Sequence, residues 1–110
     1  MADVRYHPEA ERELREVEAS ERVAIVHAVE KLEAMGSRLA YPHQSKVQGA
    51  RDLRELRPRA GRSPYRAFYR QLARERFVIG AIGPEAEHDR RGFRRAVDEA
   101  QRRLDSLKID

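Results

Sequence analysis

The run from Asp52 to Ile82, DLRELRPRAGRSPYRAFYRQLARERFVIGAI, decides how this chain folds. Asp52 to Arg57 reads as a strand, stopped by Pro58, which has no N–H to give to a ladder, and by the turn around Gly61. Pro64 opens a second strand, Tyr65 to Leu72. Strict alternation puts Tyr65, Ala67 and Tyr69 on one face and Arg66, Phe68 and Arg70 on the other. After the charged turn Ala73 to Arg76, the segment Phe77 to Ile82 is apolar on both faces, the mark of a central strand covered on each side. Three such strands joined by short turns predict an antiparallel meander.

Working outward, Val4 to Tyr6 has the pattern of a short first strand, and Pro8 suits the first turn of a helix carrying Ala10, Leu14 and Val17. Ser20 is placed to cap a second helix whose apolar face holds Ile25, Val26, Val29 and Leu32, with Gly36 as its stop. Residues 37–50 are expected to be a loop, punctuated by Pro42 and Gly49. Beyond the meander, Gly83 to Glu87 connects to a last helix capped by Asp89. Its stripe is Phe93, Ala96, Val97, Ala100, Leu104 and Leu107, the cleanest amphipathic pattern in the chain. The fold class is therefore α+β, in the order β-α-α-β-β-β-α, with residues 1–110 as one domain.

Composition narrows the functional classes. With 40% hydrophobic and 38% charged residues, a thin core must carry a heavily solvated surface. No apolar run reaches the roughly 20 residues that cross a bilayer, and the start Met-Ala-Asp-Val-Arg does not read as a signal peptide. A cytoplasmic protein without a membrane partner is the expectation. The absence of cysteine excludes disulfides and thiolate metal sites, and no Gly-rich phosphate loop or His-x-x-x-His pair is present. His7, His43 and His88 are scattered and His27 reads as structural, so neither a metal nor a cofactor is expected.

Charge is distributed unevenly. Residues 1–45 hold 6 basic and 9 acidic groups, residues 46–76 hold 10 and 3, and residues 77–110 hold 7 of each. The middle segment alone supplies the excess, mostly as arginine, whose planar fork suits phosphate and whose face stacks on bases. Arg54, Arg57, Arg66 and Arg70 fall on neighbouring strands, with Lys46, Tyr65 and Tyr69 close in sequence. Cations and aromatic rings on an antiparallel sheet are the means by which proteins hold phosphates and stack bases, so an RNA-facing surface is expected there.

The stretch Lys46-Val-Gln-Gly-Ala-Arg-Asp-Leu-Arg-Glu-Leu-Arg57, followed by Pro64-Tyr-Arg-Ala-Phe-Tyr69, resembles the RelE/ParE toxin superfamily, and within it the HigB-like, phage Gp49-like branch. The motif match spans about residues 46–69, and the order of elements extends the likeness over nearly the whole chain. The resemblance implies the toxin of a type II toxin–antitoxin pair. Such a toxin enters the ribosomal A site and cuts mRNA without a metal, by attack of the ribose 2′-OH on the adjacent phosphate. It also implies a cognate antitoxin as partner, usually one bearing a DNA-binding helix-turn-helix domain.

By carry-over, Arg57 and Arg66 stabilise charge on the phosphate and Lys46 binds or polarises the backbone. Arg54, Tyr69 and Arg70 then extend the RNA surface. The chain departs from the pattern after the apolar strand. Gly80-Ala-Ile-Gly-Pro-Glu stands where the HigB branch has a His or a Lys-Lys element, and Phe93 where the RelE branch often has a catalytic Tyr. Phenylalanine has no proton to transfer. His88, with Arg90 and Arg91 beside it, is the candidate replacement. Two alternatives stay open on sequence: a ParE-like inhibitor of DNA gyrase, and a catalytically degenerate member that only binds RNA or its antitoxin.

Overall fold

The structure, a computed structural model, describes residues 1–107. The chain runs β1 (Asp3–Tyr6), α1 (Pro8–Glu16), α2 (Ala19–Met35), β2 (Gln44–Lys46), β3 (Arg54–Leu56), β4 (Tyr65–Ala73), β5 (Arg76–Pro84) and α3 (Arg90–Asp105). The sheet order is β1-β5-β4-β3-β2. The expected meander is β3-β4-β5, and β1 joins its other edge parallel to β5.

The two faces of the sheet bury separate clusters. Ala67 and Tyr69 of β4, with Ile79 and Ile82 of β5, pack under α1 and α2 against Leu14, Ile25 and Leu32. Phe68 and Ala81 point the opposite way and pack under α3 against Val97, Ala100 and Leu104. This is why Phe77 to Ile82 is apolar on both sides. α3 can approach closely because a Cβ on Gly83 would lie 2.4 Å from that of Ala96, and one on Gly80 would lie 2.8 Å from Leu104.

β1 ends at Tyr6, leaving the outer edge of β5 beyond Ile79 without a strand partner. Side chains complete it. Glu13 of α1 accepts the Ile82 N–H at 3.0 Å, while Arg103 of α3 donates to the Gly80 carbonyl at 3.0 Å and to both oxygens of Glu13. One mostly buried ion pair thus satisfies the sheet edge and ties α1 to α3.

Four sequence expectations are corrected. Gln44–Lys46, inside the predicted loop 37–50, pairs with β3; Gln-Ser-Lys has no apolar alternation, and the pairing alone makes it a strand. The predicted strand from Asp52 is ordered as a ladder only over Arg54–Leu56. α2 is entered at Ala19 with Glu18, not Ser20, at the cap position, and the Glu18 carboxylate accepts from the Tyr65 hydroxyl at 2.8 Å instead of from its own helix. α3 ends at Asp105, so Leu107 lies past the helix and is exposed. The caps of α1 and α3 follow local chemistry: His7 Nδ1 accepts the Glu9 N–H at 3.1 Å, and Asp89 accepts the Gly92 N–H at 2.9 Å.

Candidate active site cleft

β3 leaves the sheet at Leu56 and enters a tight turn, Pro58–Gly61, in which three successive residues have positive φ: Arg59 at 55°, Ala60 at 55° and Gly61 at 96°. Two of them are not glycine, and the left-handed region costs an L-residue about 1–2 kcal/mol. What holds the turn is a set of long side chains. Arg59 pairs with Glu21 of α2, whose other carboxylate oxygen accepts from Ser63 at 2.7 Å. Those two hydrogen bonds, Arg59 first, hold the Glu21 carboxyl below its ordinary value of 4.5.

Arg66 holds the turn from the other side. It is only 4% exposed; Nε meets Glu55 Oε1 at 3.0 Å, Nη1 donates to the carbonyls of Ser63 and Tyr65 at 2.9 Å each, and Nη2 to that of Gly61 at 3.3 Å. Glu55 and Arg66 stand diagonally across β3 and β4, since Glu55 is in register with Phe68. Burial lowers the Arg66 pKa, opposed chiefly by the Glu55 charge.

This turn, the start of β4 and the loop before α3 enclose a cleft of about 550 Å³. Arg57, Arg62 and Arg66 line it, as do Glu55, Glu85, Glu87, His88 and Phe93. The three residues expected to be catalytic, Arg57, Arg66 and His88, therefore share one cavity, though they come from three separate elements. They differ in availability. Arg66 is committed to the turn. Arg57 gives Nε to the Pro42 carbonyl at 3.0 Å and lies over the ring of Tyr41, 5.0 Å from its centroid; among the described residues it has no carboxylate partner. Phe93 packs edge-on against Phe68, with ring centroids 5.4 Å apart, and adds an apolar wall. Among the described residues no three His, Asp or Glu side chains are grouped to hold a metal ion.

The expected RNA-binding residues do not form one surface with these. Lys46 and Arg54, opposite one another in the β2–β3 ladder, border a depression of about 300 Å³ at the far end of β3, which Arg70 also lines. Arg54 is held by Gln44 at 3.1 Å. Arg70 is tied to Asp105 at 2.7 Å and to the carbonyls of Arg51 and Asp52, so its fork is spent on joining β4 to the end of α3. Arg90 and Arg91 stand apart on the open face of α3 beside Arg94 and Arg95. Tyr69 requires a plain correction. At 2% exposure it is packed edge-on against Phe77 under the α1–α2 layer, where burial raises its hydroxyl pKa to about 12, so no base can stack on it. The alternation of β4 had already put Tyr69 on the face away from the arginines.

Sequence reasoning passed over Arg62 and Glu85, which the turn and the pre-α3 loop bring into the cleft, and Glu55, which neutralises Arg66. Only Glu55 carried a signal, its opposite charge two positions off register from Arg66.

A family model described as phage-derived protein Gp49-like (DUF891) matches residues 12–82. Among solved structures, an arginine-substituted mutant of the E. coli toxin RelE in the free state superposes with a TM-score of 0.67 at 19% identity, over 94% of this chain and 99% of that one. RelE in the intact E. coli RelBE toxin–antitoxin complex gives 0.60 at 16% identity, over 77% and 98%. The archaeal RelE–RelB complex from Pyrococcus horikoshii OT3 gives 0.55 at 20% identity, over 76% and 93%. At these identities the likeness is one of fold. No curated protein matches the chain.

Proposed function

The chain belongs to the phage-derived Gp49-like family and shares the fold of the RelE toxins, and from that premise we propose that it is the toxin of a type II toxin–antitoxin module, a single toxin domain acting as a metal-independent endoribonuclease on mRNA in the ribosome. The observation that carries this reading is the cleft lined both by Arg57, which has no carboxylate partner among the described residues, and by groups able to transfer protons, His88 and Glu85.

The reaction asks little more of a protein. A base takes the proton of the 2′-OH; the freed oxygen attacks the adjacent phosphorus; the bond from phosphorus to the 5′-oxygen breaks, and an acid protonates that oxygen. The products are a 2′,3′-cyclic phosphate and a 5′-hydroxyl end. Arg57 stabilises the extra charge on the phosphoryl oxygens, and a fixed cation or donor in that role contributes about 10²–10³ in rate. His88 and Glu85 are the groups able to move protons, since Phe93 has none to move. Arg66 acts indirectly, by fixing the turn that presents Arg57. Arg62 extends the positive rim of the cleft, and Arg90 and Arg91, apart on the open face of α3, offer a separate basic surface to the RNA beyond it.

Similarity to RelE chains solved with RelB supports an antitoxin as partner; an acidic segment of it would suit the basic cleft and the arginines of α3. Phe93 favours one second reading, a member of the fold that binds RNA or its antitoxin without cutting. Induced expression separates the possibilities. The nuclease reading expects growth arrest with new mRNA ends bearing 5′-hydroxyls. DNA damage with intact mRNA would point instead to a gyrase inhibitor, and bound but uncut RNA to the non-cleaving form.

A further inference from the structure

Arg57 lines a second concavity as well as the cleft. Between α2 and the segment that carries His43 and Arg59 lies a groove of about 360 Å³, within the range of ligand pockets, about 300–1,000 Å³. One wall is a stripe of α2. Val23, Ala24 and Ala28 form its apolar part, and His27 and Lys31 its polar part, at the helical spacings that put them on one side. Val23 is 53% exposed, so its side chain is open to a ligand in the groove.

Among the described residues no carboxylate lines this groove, although α2 carries Glu21, Glu30 and Glu33. Arg59 is partly compensated by Glu21. Lys31 is not: its ammonium sits 3.4 Å from His43 Nδ1. An ammonium has donors only, so Lys31 can serve an acceptor on either side of it. An ammonium carries three such donors, more than His43 can use, so some remain for an anion. Lys31, Arg57 and Arg59 thus share the groove with an apolar wall.

We propose that this groove is a subsite for one nucleotide of single-stranded RNA, next to the nucleotide held in the cleft. Lys31 and His43 bind its phosphate, the α2 wall takes its base, and Arg57 bridges the two positions. A polyanion held at Arg57 in the cleft has this groove as its continuation, and that continuity favours RNA over a separate acidic peptide. The inference rests on the RNA reading of the cleft.

The test is fluorescence anisotropy with uncleavable 2′-O-methyl RNA, a dinucleotide and a hexanucleotide, on the full chain and on Lys31→Ala and Lys31→Glu. Lys31 is exposed, and thermal melts of both variants, run alongside, check that they fold. Lys31→Glu is expected to weaken the hexanucleotide about tenfold, to leave the dinucleotide within about twofold, and to lower the salt slope of hexanucleotide binding by about 0.7, the loss of one single-strand phosphate contact. Unchanged hexanucleotide affinity and slope in Lys31→Glu would overturn the groove and leave the cleft reading standing. Failure of the unsubstituted protein to bind the hexanucleotide would overturn the groove, while the cleft reading fails separately if programmed ribosomes show no cleavage. Loss of binding to an acidic antitoxin peptide with RNA binding intact would assign the groove to protein and overturn the proposal.

Discussion

Arg66 and Arg57 show how two arginines of one sequence motif acquire different work. Arg66 occupies a buried site in which one carboxylate and three carbonyls surround its fork. Truncating it strands Glu55 in a site where its side chain is 13% exposed, so Arg66→Ala is expected to cost about 3–5 kcal/mol, read as a lower urea midpoint. A midpoint within error of the unsubstituted protein would refute the structural role. Activity lost in that variant says nothing about catalysis. Glu21 makes a separate, pH-dependent prediction. Its folded pKa is depressed, so the stability it contributes is present above its ordinary value of 4.5 and is lost as pH falls through the lower folded value. Glu21→Gln should therefore flatten the fall in melting temperature on acidification below about pH 4.5, and an unchanged acid slope would contradict this.

At the level of elements, the turn Pro58–Gly61 is strained where it borders the cleft, with Arg59 and Ala60 both left-handed. Replacing Ala60 by glycine removes the Cβ penalty while raising unfolded-state entropy, for a net gain of up to about 1 kcal/mol by equilibrium unfolding. If the same substitution lowers RNA cleavage, the turn's rigidity is what presents Arg57. A destabilised A60G protein would mean the left-handed geometry is wrong. Gly83 makes the converse case: an added methyl meets Ala96 at 2.4 Å, so Gly83→Ala should push α3 outward and cost about 1–3 kcal/mol.

Taken whole, the molecule was legible where periodicity and covalent constraint govern. The meander, the doubly apolar β5, Pro8, Gly36 and the Asp89 cap all follow from single residues and their spacing. β2 was not legible, because Gln44–Lys46 is a strand only through its neighbour. Nor was the site wholly so. Alternation separates Arg66 from Tyr69, but it does not say that Glu55 takes Arg66, that Asp105 takes Arg70, or that Glu85 and Arg62 arrive beside Arg57. Those depend on contacts between residues far apart in the chain. The charge excess of residues 46–76 is consequently divided between the cleft and the depression beside β2 and β3, and among the described residues only Arg57 of the expected strand arginines is left both without a carboxylate partner and in the cleft.

Cleavage of mRNA on programmed ribosomes, comparing the unsubstituted chain with Arg57→Ala, tests that assignment most directly. Cuts with 5′-hydroxyl ends are expected, slowed by about 10²-fold or more in the variant, while its melting temperature stays close to that of the parent because Arg57 lacks a buried ion pair. Equal cleavage by the two proteins, or none by either, would contradict the account.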